Sequence, residues 1–357
     1  MLRGALIGLA VLFALALAAP LIASGQPLLW WPRGGSLSSP WLYALFDANI
    51  NESGLDRAFN AALLFIGPAL LLAKRMKSAR LFCAAVLFIA MAVAASFPLE
   101  RPRALFTEEK ARFSLRTPIP QGPHEIDLAA ARKGASRAHP LGTDAAGRDV
   151  LARLVWGARP SLTVGVLSVA LYMLLGTLLG ALAGWYGGKV DVFIQRAIEV
   201  MMAIPSLFLV LAVSAFIEHR SFAHVLLIIA AVGWTTPARL VRSEFLRLKN
   251  LDFVLAARSS GDRESTIMWR EILPNALGPL WVTATFGVGS AILIESTLSF
   301  LGLGDPTLPS WGQILSAGRA TREWTLIVAP GLAIFVTVAL LNVLGEGIRR
   351  SFEARRA

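Results

Sequence analysis

Long apolar runs, unbroken by charge, dominate this chain and leave it few ways to fold. A segment that crosses a bilayer needs about 20 mainly apolar residues, and only a hydrogen-bonded helix or a closed barrel satisfies the backbone there. The runs are continuous rather than the roughly ten-residue alternations of a barrel strand, so helices are expected. Spans are predicted over 6–23, 59–73, 81–97, 161–185, 197–217, 222–240, 277–301 and 326–348. The fold class that follows is all-α, a polytopic transmembrane helical bundle of about eight spans. The first run could be read as a signal peptide, but it is long for one, and a retained helix is expected. The pair 59–73 and 81–97 reads as a membrane hairpin around a short basic turn at 74–80.

Composition agrees. Of the 357 residues 55% are hydrophobic and 16% charged, against about 25% charged in soluble domains. The net charge of +11 is read as loop charge that sets orientation rather than as a nucleic-acid stripe. With an even number of spans both termini share a side, and Arg3 with Arg349, Arg350, Arg355 and Arg356 places them in the cytoplasm. Threading from there puts 242–275, which holds Arg242, Arg247, Lys249, Arg258, Arg263 and Arg270, inside. The loop 302–325, with only Arg319 and Arg322, falls outside. The lone Cys83 can form no intrachain disulfide, and His124, His139, His219 and His224 lack the spacing of a zinc site. No metal and no nucleic acid are expected. Three regions result: 1–100, a membrane helix plus the hairpin; 101–158, a polar extracytoplasmic segment; and 159–357, the main membrane domain with a distinctive loop at 250–275.

Four motifs stand out. In the cytoplasmic loop, Ala256 and Ala257 are small helix formers, Arg258 follows them, and Gly261 breaks the helix or admits close backbone approach. A second short helix, 264–273, is expected next, with Pro274 discouraging helix at Leu273. Two short helices around a glycine bend make a knob suited to a cleft in a soluble partner, although an ordinary amphipathic loop fits the spacing too. The second motif begins at His139 and includes Gly142, Thr143, Asp144, Gly147, Arg148 and Asp149. There Gly142 permits a tight turn, and Thr143 or Asp144 can cap a helix whose Leu151, Leu154 and Val155 form an apolar stripe facing the membrane or the bundle. In the third, Gly184, Gly187 and Gly188 allow a reversal, Arg196 and Glu199 can pair on one helix face, and Pro205 would kink a span or free a backbone carbonyl. In the fourth, Glu295 lies inside an apolar run, as a pathway-lining group or as a structural hydrogen-bonding one.

The loop resembles the "EAA" loop of permeases in binding-protein-dependent ABC importers. Ala256, Ala257, Gly261 and Pro274 match it, while Leu255 stands where that family usually has Glu. Ten residues separate Gly261 from Ile272, and Leu273 and Pro274 follow directly, a form typical of the peptide-importer branch. The run from His139 to Arg159 is similar to the motif that opens the transport domain in the second permease of dipeptide and oligopeptide importers. The glycine turn at 184–188 and the run from Glu295 to Gly304 have counterparts in the same family.

The resemblance implies a type I ABC importer transmembrane domain with cytoplasmic coupling helices, in the bacterial cytoplasmic membrane. Its implied partners are a homologous permease, two ATP-binding cassette subunits, an extracytoplasmic solute-binding protein and membrane lipid. It implies that no ATP and no other cofactor is bound by this chain, ATP being hydrolysed by the partner subunits; the sequence has no G-x-x-x-x-G-K-[ST] phosphate loop. No catalytic residue is expected. The implied cargo is a peptide or peptide-like solute, with nickel chelates of the same branch as an alternative. An intramembrane enzyme would need a partner group beside Glu295, and an ion-driven secondary carrier would show repeat symmetry; neither is evident.

Overall fold

The computed structural model describes residues 2–33, 35–47, 53–75, 90, 93 and 111–356. The run expected at 81–97 lies outside them apart from residues 90 and 93. Among the described residues four helices are long and apolar enough to cross a bilayer: Val150–Tyr186, Phe222–Leu248, Gly278–Phe300 and Trp324–Glu353. A fifth span arises if the bent pair Gly188–Met202 and Ser206–Ala215 counts as one. The first helix, Leu2–Leu17, is shorter, and the run expected at 59–73 lies within the helix Gly54–Arg75. The chain divides into two compact units: Met1–Leu9, Leu162–Asp305 and Ile334–Ala357 form one, and Ala10–Ser161 with Pro306–Ala333 form the other.

In the first unit, one core gathers Tyr172, Ile194, Ile198, Val210, Ile229, Trp234 and Leu298. A second gathers Ala181, Val241, Phe245, Val254, Ile267, Met268 and Ile272. Gly176, Gly180 and Gly184, about one helical turn apart, let Val150–Tyr186 lie backbone to backbone against Thr235–Leu248. A Cβ at Gly180 would stand 2.4 Å from the Ala238 carbonyl oxygen, and one at Gly184 2.5 Å from the Phe245 Cβ. Small residues repeated every fourth position are how membrane helices approach closely. Bidentate bonds of 2.5 and 2.6 Å from Arg242 to Asp191 tie Gly188–Met202 to the same helix.

The structure departs from expectation in several places. The long helix begins at Val150 rather than at 161 and carries Pro160 inside it. Its start is capped by Asp149, which accepts from the Ala152 amide at 2.7 Å, not by Thr143 or Asp144. The span expected at 197–217 is bent by 80° at residues 203–205. Pro205, extended at φ −56° and ψ 127°, has no amide hydrogen to continue a ladder. The helix expected at 264–273 continues to Ala276 through a π turn at Ile267–Ile272, and Leu273 is helical at φ −56°, ψ −47°. Pro274, which has no amide hydrogen, follows this turn directly after the bond from the Leu273 amide to the Met268 carbonyl.

The second unit contains an element that the helical reading did not anticipate. β1 (Leu29–Pro32) pairs antiparallel with β2 (Ala111–Leu115), with Trp31 opposite Phe113 and Leu29 opposite Leu115. One core of this unit, among the described residues, gathers Ala19, Ala23, Ile119, Ala152 and Trp156.

Candidate functional site

The loop after Thr235–Leu248 folds as a knob. Asp252–Ser259 is a helix with one fully buried residue, Val254, which plugs the second core. Its end is a glycine cap: the Gly261 amide donates to the Arg258 carbonyl at 3.0 Å, and the Asp262 amide to the Ala257 carbonyl at 3.1 Å. Those two bonds are the 5→2 and 6→1 pair of a Schellman motif, which needs a left-handed residue. Gly261 supplies it at φ +85°, with no neighbour within 4 Å of where a Cβ would lie.

Arg258 fastens the knob sideways. It bonds Glu264 at 3.1 and 3.3 Å and lies over the Trp185 ring at 5.3 Å. Lys249 donates to the Gly184 carbonyl at 3.1 Å. The outer surface includes Phe253, Leu255 (50% exposed), Ala256, Ser259 and Gly261 beside the charged Asp252, Arg258, Asp262 and Arg263, with Ala257 and Leu273 half-buried and Pro274 exposed. The anchored knob thus presents small and apolar residues among charged ones, a surface suited to a complementary cleft.

A cavity of about 320 Å³ opens elsewhere in this unit, between Val150–Tyr186, Ser206–Ala215, Phe222–Leu248 and Gly278–Phe300. Its walls carry hydroxyls from Tyr172, Ser206, Thr235, Thr236, Thr283 and Ser290 beside Phe286 and Ile294, and no charged side chain. Such a lining offers hydrogen bonds without selecting a sign of charge. Glu295 is not among these walls. It is 4% exposed and accepts from Ser299 at 2.8 Å and from Ser296 at 3.4 Å, on its own helix. Arg196 and Glu199 form an exposed pair at 2.5 Å, of the kind worth little in stability.

The run from His139 builds a separate polar network in the second unit. Gly142 and Gly147 adopt φ +80° and +76°. Between them Asp144 accepts from the Ala146 and Arg148 amides at 2.9 and 3.0 Å, and from the Arg148 side chain at 2.8 Å. Thr143 donates to the Ala130 carbonyl, and Asp149 contacts His139 at 2.9 Å. Farther along the helix, Arg159 is fully buried. It donates to the Ala16 carbonyl at 2.8 Å, to Asp56 at 3.2 Å and to Asn60 at 2.9 Å, and it stacks over Trp156 at 4.4 Å. Leu151, Leu154 and Val155, the expected stripe, are half-buried, with Leu151 and Val155 packed against the core of Ala19, Ala23, Ile119, Ala152 and Trp156, while Arg159 is fully buried. The glycine stripe, the Asp191–Arg242 pair, the hydroxyl cavity and the Arg159 cluster were not singled out from sequence. Only the stripe had a readable signal, its four-residue spacing.

The comparisons with known proteins converge. The family model for the binding-protein-dependent transport system inner membrane component matches residues 176–357. A dipeptide transport system permease protein of Alkalihalophilus pseudofirmus is 39% identical over 227 residues, covering 62% of this chain and 74% of that protein. A glutathione transport system permease protein of Pectobacterium atrosepticum is 40% identical over 233 residues, covering 64% and 77%. An oligopeptide transport system permease protein of Bacillus subtilis is 36% identical over 233 residues, covering 64% and 76%. This chain is therefore a multi-pass membrane permease component, not itself an enzyme, and belongs to the binding-protein-dependent transport system inner membrane component family.

Proposed function

We propose that this chain is one of two homologous permease subunits in an ATP-driven importer of peptides or peptide-like solutes. Two ATP-binding cassette subunits bind and hydrolyse the nucleotide, and a solute-binding protein delivers cargo from the outer side. Both termini and the knob then lie in the cytoplasm, and 101–158 lies outside. The single observation that carries this reading is the knob: a glycine-capped helix, anchored by Val254 and Arg258, that offers Ala256, Ala257 and Gly261 to a partner. The peptide cargo is favoured by the relatives, whose names specify dipeptide, glutathione and oligopeptide transport. The uncharged, hydroxyl-lined cavity suits the amide groups that all peptides share.

ATP binding closes the cassette subunits, and the knob moves with them. Closure favours the outward-open arrangement of the spans through the nucleotide's differential affinity for the two states. The bend at 203–205, the pair Arg196–Glu199 and Glu295 lie on elements that such a movement would carry. Replacement of Gly261 by Trp in the assembled importer tests the coupling. ATP hydrolysis should lose its stimulation by loaded binding protein, and peptide uptake into proteoliposomes should fall, while the amount of complex in the membrane stays unchanged. Uptake at the level of the unaltered importer would refute the docking role.

A further inference from the structure

The β1–β2 ribbon has no part in the function proposed above, and its chemistry is distinctive. Alternation puts Leu29, Trp31, Phe113 and Leu115 on one face, where they are 36, 39, 51 and 44% exposed. Trp30, on the opposite face, is buried. Aqueous strands seldom keep four large apolar residues on an open face. The same segment carries Arg33 and Arg112, both exposed, and residues 29–33 and 111–115 contain no acidic residue. Arg112 lies over the Trp31 ring at 4.8 Å, so a cation and an aromatic share one spot.

The segments that flank the ribbon are bonded to the short helix Ala19–Ile22, which follows Leu2–Leu17. The Ile119 amide donates to the Ile22 carbonyl at 2.9 Å, and the Ser24 amide to the Ile119 carbonyl at 3.2 Å. The Trp41 indole donates to the Pro20 carbonyl at 2.7 Å. Tryptophan is favoured at the headgroup level of a bilayer, and arginine reaches it with its long stem. At that level an exposed aromatic and aliphatic face suits acyl chains, and neighbouring arginines suit anionic phosphate.

We propose that this ribbon is a membrane-surface anchor, with Leu29, Trp31, Phe113 and Leu115 seated at the acyl boundary of a bilayer and Arg33 and Arg112 on anionic headgroups. The topology proposed above decides only which leaflet it occupies. The anchoring itself rests on the ribbon and not on the docking role of the knob.

The test places a nitroxide at position 113 (Phe113→Cys in a Cys83→Ser background) in the complete importer, reconstituted in nanodiscs containing phosphatidylglycerol. A label at Ile126, which is 64% exposed, is the reference. Paramagnetic relaxation should show the label at 113 open to oxygen and shielded from a water-soluble nickel chelate, with the reference open to the chelate. An Arg33→Glu, Arg112→Glu variant should raise chelate access at 113. In separate discs with brominated lipid, Trp31→Phe should remove part of the lipid-quenched fluorescence, a check that needs no label. Chelate access at 113 equal to the reference would overturn the anchor, as would shielding that arises only on addition of the solute-binding protein. Loss of ATP-driven uptake bears on the proposed transport role and leaves these readings intact.

Discussion

Gly261 has open space where a Cβ would lie, so within the knob its role is conformational rather than one of internal packing. At φ +85° a side chain is strained by about 1 kcal/mol even though nothing crowds it. Gly261→Ala should therefore leave the spans intact and weaken the cap of Asp252–Ser259, read as faster amide exchange at Gly261 and Asp262. Unchanged exchange there would show that the cap does not depend on glycine. Arg159 is the reverse case, a buried cation whose value lies in its partners. Removing the Asp56 carboxylate leaves that charge uncompensated by its counter-ion, and Asp56→Leu should destabilise the protein by about 3–5 kcal/mol. Thermal unfolding in detergent measures this. Asp56→Leu combined with Arg159→Leu should lose less than the two single changes summed, because the buried charge is gone as well. Strict additivity would mean that the pair does not act as a unit.

At the scale of elements, close helix contact depends on what is missing. Gly180→Leu would drive a side chain into the Ala238 carbonyl, an overpacking that costs about 1–3 kcal/mol where the backbone can shift. The expected result is a lower unfolding temperature and less folded protein in the membrane. Gly331→Leu, inside the helix Trp324–Arg356 and with no neighbour within 4 Å of a Cβ, should cost far less; equal effects at both sites would contradict the close-approach argument. The same scale shows what was legible in sequence. Continuous apolar runs located the four long helices because hydrophobic length is a local property, and Gly261 announced its bend because no other residue adopts that backbone so readily. The start at Val150 was missed because Asp149 caps the helix within a polar stretch, where apolar length says nothing. The β1–β2 ribbon was missed because its strands lie some 80 residues apart, so their pairing has no local signature.

For the whole molecule, the family relation fixes the kind of machine, and the geometry supplies the candidate parts: a knob for coupling, a neutral hydroxyl cavity for the pathway, and a polar cluster that ties Gly54–Arg75 to the start of the long helix. The cavity and the cluster could not be read beforehand, because each gathers residues distant in the chain. The central claim is that the knob fits a nucleotide-driven partner. It is tested most directly by cross-linking from Ala256→Cys, in a Cys83→Ser background, in membranes that contain the importer. The account predicts a cross-link from position 256 to an ATP-binding cassette subunit, altered in yield by ATP. Absence of any such subunit from the purified complex, or labelling of position 256 from the outer side of the membrane, would contradict it.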